Sequence, residues 1–348
     1  MSQSSRNADA VLQASPETVI WGAIDAGRKP VLHVRAGQTV RIDTVSQQPL
    51  NHADPATFFP ANGIRADEVL PEHSAIYHQV KKSPPGGPHV LTGPVYIDGA
   101  EPGDMLVVVL EKLETNRATA YSGSLLSPYT VDPAAIAARV DRDARRVTWT
   151  IDKARGVARM DQADVQPGGF ELPLRPMLGC IGTAPARKEA IATTVPGPFG
   201  GNMDYALMGA GVRLMLPVNE PGALLFLGDG HARQGEGEVA GTGLETSLDV
   251  EFSVELVKKN AIGWPRLETD THVMVLGSAR PLLEAFQHAT SELQKLLTSD
   301  YGLTERGAQT LLGQAAEYEI ANVVDPNFTV VAKIRKAALP RRNSPGAR

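Results

Sequence analysis

Three features of the 348-residue chain predict a mainly β protein with a few late helices. Glycine (33) and proline (26) are abundant, which favours many turns over a helix bundle. Several runs alternate apolar and polar residues with period 2, as strands with one wet face do. Helical spacing of apolar residues appears clearly only near the end. The expected layout is two β-rich lobes, residues 17–170 and 171–337. The second is an α+β lobe with C-terminal helices and most of the functional residues. Residues 1–16 and the basic stretch 338–348 are expected to be disordered, since neither offers an apolar face to bury.

Each element rests on its own pattern. Val40 and Ile42 alternate with Arg41 and Asp43 after the turn residues Ala36-Gly37-Gln38. Val95-Tyr96-Ile97 runs into a turn at Asp98-Gly99. Met105 to Leu110 is continuously apolar, which suits a strand buried on both faces. A short helix is placed near Pro133 to Val140. Val147, Trp149 and Ile151 alternate with Thr148 and Thr150. The longest alternation sets Leu248, Val250, Phe252, Val254 and Leu256 against Asp249, Glu251, Ser253 and Glu255. Leu282, Phe286, Ala289, Leu293 and Leu297 then recur at helical spacing, with Ser278 as the expected cap and Pro281 in the first turn. A second helix opens at Thr304 and is expected to run towards Ile320.

Composition excludes several function classes. The net charge of −5 gives no footprint for nucleic acid or an anionic membrane. No stretch approaches the roughly 18 apolar residues of a membrane span. The first ten residues are polar, unlike a signal peptide. The single cysteine, Cys180, forbids an intrachain disulfide, which fits a reducing, cytoplasmic setting. Its neighbours in Met177-Leu-Gly-Cys-Ile-Gly182 are apolar, so it reads as a buried, inert thiol. The glycines match no dinucleotide or phosphate loop, and no Gly-x-Ser-x-Gly elbow or His-Glu-x-x-His occurs. His73 and His78 lack a carboxylate pattern and read as ordinary core or surface histidines.

Four segments concentrate polar residues and glycines between apolar strands. They begin at His89 (to Pro94), Gly99 (to Asp104), Gly200 (to Asp204) and Gly228 (to Glu238). Asp229 and His231 leave an apolar strand two residues apart, a spacing that aims both side chains at one point in extended backbone. Asn202 and Asp204 share that spacing. Carboxylates plus an imidazole suit a divalent cation. The same sequences are also common turn formers, in which Asp side chains satisfy turn amides.

At these segments the chain resembles the acetamidase/formamidase family. The resemblance is carried by Leu91-Thr-Gly-Pro-Val-Tyr-Ile-Asp-Gly-Ala-Glu-Pro-Gly-Asp104, Arg175-Pro-Met-Leu-Gly-Cys-Ile-Gly-Thr-Ala-Pro185, Gly200-Gly-Asn-Met-Asp204, Gly228-Asp-Gly-His-Ala-Arg-Gln-Gly-Glu-Gly-Glu238 and Val323-Val-Asp-Pro326. It implies hydrolysis of short amides such as formamide and acetamide, a mostly β fold, a divalent metal with zinc ahead of calcium, and a homo-oligomer. It points to Glu101, Glu238 and Asn202 as catalytic, to Asp204, Asp229 and His231 as metal ligands, and to His89, Phe199, Gln234 and Glu245 around them. The alternatives are a hydrolase of cyclic or larger amides on the same scaffold, and a non-enzymatic β module holding a structural cation. Two departures stand out. Phe199 occupies a position where many relatives carry His, and an apolar ring there suggests a preference for acetamide or propionamide over formamide. Residues 47–80 look unlike the family.

Overall fold

Long-range strand pairing ties the two larger sheets together. The computed structural model describes residues 8–65, 69–138 and 146–342. A nine-stranded sheet runs in the order Ala10–Leu12, Thr39–Asp43, Leu248–Val257, Met105–Thr115, Arg213–Pro217, Arg266–Glu268, His272–Ala279, Phe328–Arg335, Glu317–Asn322. A six-stranded sheet contains Gly200–Asn202, Met177–Gly182, Leu225–His231, Val90–Ile97 and Val19–Trp21 in that order, with Leu32–Val34 also pairing to Val90–Ile97. A four-stranded sheet (Phe170–Pro173, Val157–Met160, Arg146–Asp152, Thr119–Gly123) completes the main architecture. The mainly β fold class is as the sequence predicts.

The two larger sheets pack face to face. Val40, Ile42, Leu106, Val108, Leu110, Val250 and Phe252 from one meet Val95, Ile97, Leu178, Ile181, Leu225 and Leu227 from the other in one buried cluster. The period-2 pattern of Leu248–Val257 puts its apolar set on that cluster and leaves Asp249, Glu251, Ser253 and Glu255 partly or fully exposed. The first half of Met105–Thr115 is buried on both faces, since Met105 and Val107 join a second cluster with Met215 and Ile262, while Glu111, Lys112 and Glu114 further along are exposed. Helix Leu282–Tyr301 covers the far side of the large sheet, seating Ala289, Leu293 and Leu297 on Val273, Val275, Ala332 and Ile334.

Several expectations need correction. Both large sheets draw strands from either side of residue 170, so the two stretches expected as lobes share one core. Residues 10–12 are not disordered: Ala10–Leu12 forms an edge strand parallel to Thr39–Asp43. The C-terminal tail is docked as far as Arg342, whose guanidinium pairs with Glu268 and Asp300; residues 343–348 lie outside those described. Pro281, not Ser278, stands at the helix N-cap, and Ser278 instead hydrogen-bonds Thr329 within the sheet. The second helix, Glu305–Ala315, is capped by Thr304 as expected but stops early, because Glu317–Asn322 alternates and pairs as the sheet's last strand. The short helix is present as Pro133–Ala137. No helix among the described residues is long and apolar enough to cross a membrane.

Candidate functional site

The polar residues converge where the six-stranded sheet meets the loops at its edge. Strand Leu225–His231 is buried throughout and delivers Asp229 and His231. Strand Met177–Gly182 pairs with it on one side and with Gly200–Asn202 on the other. That second pairing brings Asn202, and Asp204 just beyond it, against the same patch. The loop after His231 returns with Gln234 and Glu238. Glu245 opposes His231 directly in an isolated bridge.

Backbone strain marks this patch. Of the eight non-glycine residues with positive φ among those described, three are Asp204 (45°), Asp229 (55°) and Glu238 (46°). Such conformations cost about 1–3 kcal/mol each and persist where the surroundings over-determine them. Asp229 and His231 do converge, with Asp229 Oδ1 3.4 Å from His231 Nε2. The extended backbone that the sequence suggested is not the route, because Asp229 is left-handed.

Two triads share His231: Asp204, His231 and Glu238, and Asp229, His231 and Glu245. Within each, the ligand atoms lie within 4.8 Å of one another, and all of these residues are buried. Hydrogen bonds fix the imidazoles. His231 Nδ1 meets Gln234 Oε1 at 2.9 Å, while Gln234 Nε2 donates to the Asp204 carbonyl. Nδ1 therefore carries a hydrogen, and Nε2 on the other side of the ring lies 3.1 Å from Glu245 Oε1. His89 repeats the arrangement, with Nδ1 on the Thr193 carbonyl at 3.1 Å and Nε2 3.6 Å from Asp229 Oδ2. Asn202 Nδ2 donates to Asp204 and to Asp325. Asp204 Oδ1, Asp229 Oδ1, Asn202 Oδ1 and His231 Nε2 are all buried without a hydrogen-bond partner.

Such acceptor crowding perturbs ionisation strongly. Burial first, then repulsion from Glu238, Asp325 and Asp229, pushes the Asp204 carboxyl well above its ordinary range. Burial also pushes Glu238 well up, reinforced by Asp325, Glu245 and Asp229. Asp325 is raised to about 6 by burial. Burial pushes Asp229 upward too, but His89 and His231 outweigh it and hold the carboxyl down at about 2. His231 resists the effect of its burial because Glu245 and Asp229 hold it well above the usual imidazole value. A cation or protons must compensate this set, and carboxylate oxygens with an imidazole nitrogen are a donor set that divalent ions accept.

The structure thus gathers His89, Asn202, Asp204, Asp229, His231, Gln234, Glu238 and Glu245. It does not bring Glu101 in. That side chain is 76% exposed and lies 3.6 Å from Lys258 Nζ. The buried carboxylate of its segment is Asp104, which accepts from the Glu101 and Lys259 N–H groups and from Lys258. The segment is a turn, and Asp104 is what ties it. Glu101→Gln is accordingly expected to keep kcat/KM within about twofold, as exposed substitutions away from special features usually do; ammonia-release kinetics check this. Phe199 packs against Gly197 and Gly201 within the cluster of Ile20, Leu91 and Phe226. It props the loop carrying Asn202, and the preference inferred from its ring loses its basis.

Cys180 is buried in that same cluster, and burial followed by the nearby Asp229 and Asp204 pushes its thiol well up, so it is no thiolate at neutral pH. His73 is fully buried, and His78 pairs with Asp54 at the surface. Asp325 is the residue that sequence reasoning missed. Its stretch, Val323-Val-Asp-Pro326, carries the family resemblance, but no spacing ties it to Asn202, 123 residues away.

Known proteins share the family features and the fold. The model of the acetamidase/formamidase family matches residues 77–190 and 184–339. The crystal structure of an acetamidase from Yersinia enterocolitica superposes with a TM-score of 0.75 at 26% identity, covering 97% of this chain and 95% of that one. An acetamidase structure from Bacillus halodurans gives 0.72 at 26% identity, with coverage of 93% and 97%. A protein of Schizosaccharomyces pombe, named by inference as a formamidase, is 24% identical over 282 residues, which span 66% of this chain but 64% of that protein.

Proposed function

Because the chain belongs to the acetamidase/formamidase family, we propose that it is a metal-dependent hydrolase of short aliphatic amides, releasing ammonia and a carboxylate. The observation carrying this reading is the convergence of buried ligand atoms on His231, from Asp204 and Glu238 in one triad and from Asp229 and Glu245 in the other. Asp204, Asp229 and His231 would hold the ion, and the imidazole favours zinc over calcium, which prefers all-oxygen ligands. When bound, the ion supplies Lewis acidity, polarising the amide carbonyl and making water a better nucleophile near neutral pH.

The chain's own groups do the rest. Glu238 is buried and its carboxyl is pushed up, which suits it to take a proton from the attacking water. Water oxygen bonds to the carbonyl carbon, Glu238 passes the proton to nitrogen, and the C–N bond breaks as ammonia leaves. Nitrogen must be protonated because an amide anion is a very poor leaving group. Asn202 has its Nδ2 committed to Asp204 and Asp325, so its free Oδ1 would accept an N–H of the substrate amide and orient it.

The test pairs metal analysis of the purified protein with ammonia release from formamide, acetamide and propionamide. A stoichiometric divalent ion is expected, with turnover abolished by chelation and restored by Zn2+. Full turnover after exhaustive chelation would overturn the metal reading, and no release from any of the three amides would overturn the substrate reading.

A further inference from the structure

Gln47 lies before the family match, which begins at residue 77, yet it reaches the carboxylate cluster. Glu245 stands in the middle of a row of three, opposed by His231 on one side and Tyr121 on the other. Directly opposed residues of antiparallel strands share a face, so these side chains stand together. The Glu245 carboxylate is held at both oxygens. Oε1 lies 3.1 Å from His231 Nε2 and accepts the Gly243 N–H at 3.1 Å. Oε2 accepts from Gln47 Nε2 at 3.1 Å.

Gln47 is itself fixed by a buried polar network. The neighbouring Ser46 N–H donates to Ser247 Oγ at 2.9 Å, and Arg117 Nε donates to the same oxygen at 3.3 Å. Arg117 Nη2 also contacts His73 Nδ1, which makes that nitrogen the acceptor; His73 Nε2 then carries the hydrogen and donates to the Ser46 carbonyl at 3.1 Å. The Arg117 guanidinium stacks 4.8 Å from the Phe59 ring centroid. Phe58, Phe59, Ile64 and Tyr121 close over the network as one apolar cluster. Arg117 is buried, and no carboxylate among the described residues contacts it. Burial pulls the Arg117 guanidinium down to about 10, only partly offset by the charge of Glu72, so it is costly to keep. Packing alone gives no reason for it.

We propose that Gln47 is a positioning residue of this site: pinned by the Ser46–Ser247–Arg117–His73 network, its amide locks the Glu245 carboxylate so that Oε1 stays on His231 Nε2. The inference rests on the reading above, which assigns His231 to a metal centre. Partners that orient ligands in this way typically contribute 10–100-fold in metal affinity or activity.

The experiment strips wild type, Gln47→Leu and Gln47→Glu of metal, then titrates each with Zn2+ against a chromophoric chelator. Acetamide kinetics follow at saturating Zn2+, and melting of the metal-free proteins is recorded. Both variants are expected to bind Zn2+ about 10–100-fold more weakly and to lose kcat with little change in KM, while the metal-free melting temperature stays put. Gln47→Glu keeps the side-chain shape, so it carries the test if Gln47→Leu does not fold. Wild-type affinity and kcat in either folded variant would overturn the proposal. Wild type that turns over acetamide without any divalent ion would overturn the metal reading instead, and Gln47 would then be judged on kcat alone. Wild type with neither metal nor turnover would sink both.

Discussion

Asp229→Ala and His231→Ala are each expected to lose bound metal and at least about 100-fold in amide turnover together, a scale on which single groups act in preorganised sites. Metal analysis and ammonia release on the same samples make the measurement. The fold should survive, because strand Leu225–His231 is held by ladders on both sides and neither side chain contributes to the apolar clusters. Both substitutions also thin a crowd of buried acceptors, so circular dichroism should stay near wild type. Metal binding to the folded state stabilises it by mass action, by about 2.7 kcal/mol when free ion is at 100 times its Kd. Wild type should therefore melt later with Zn2+ than after chelation, and the two variants should show no such shift. A variant that keeps both ion and rate would reduce the loop to a turn and remove the centre from the reading.

The fold was legible wherever one strand carried its own face. Leu248–Val257 needs no partner to declare its alternation, and Ala289, Leu293 and Leu297 declare a helix by spacing alone. Division into lobes was not legible, because it depends on which strands pair. Residues 105–115 and 248–257 lie far apart in sequence and form the longest ladder in the large sheet. At the site, residue type and local spacing singled out Asn202, Asp204, Asp229 and His231, which the structure brings together. The family resemblance also pointed to Glu101, since a carboxylate in a Gly/Pro-rich turn reads the same whether it faces a cavity or water. Residue type and spacing passed over Asp325 and Gln47, whose partners lie 123 and 198 residues away. Contacts at such separation leave no periodic trace in one sequence.

The single-methyl change most damaging to turnover is expected at Gly179. This residue sits on strand Met177–Gly182, between the ladders to Leu225–His231 and Gly200–Asn202. Its φ is not among the positive values, so alanine fits the backbone. Space is what fails. A Cβ there would fall 2.3 Å from Asp229 Oδ2 and 2.4 Å from Asp204 Oδ1, both far inside van der Waals contact. The strand cannot retreat, because residues on either side of it are paired and the Gly179 carbonyl accepts the Asp204 N–H at 3.1 Å. Nor can the carboxylates swing freely, since Asp204 accepts from Asn202 and Asp229 lies against His89 and His231. Gly179→Ala should therefore push Asp204 and Asp229 apart, with turnover falling below about 1% of wild type, by the same scale as losing one of them. Overpacking of this kind typically costs about 1–3 kcal/mol in stability, which melting would register without loss of the fold. Gly235→Ala is the matched control: it lies on the loop leading to Glu238, and nothing stands within 4 Å of its added Cβ. It should leave rate and metal content unchanged. If Gly179→Ala instead binds Zn2+ and turns over acetamide like wild type, Asp204 and Asp229 do not hold the ion.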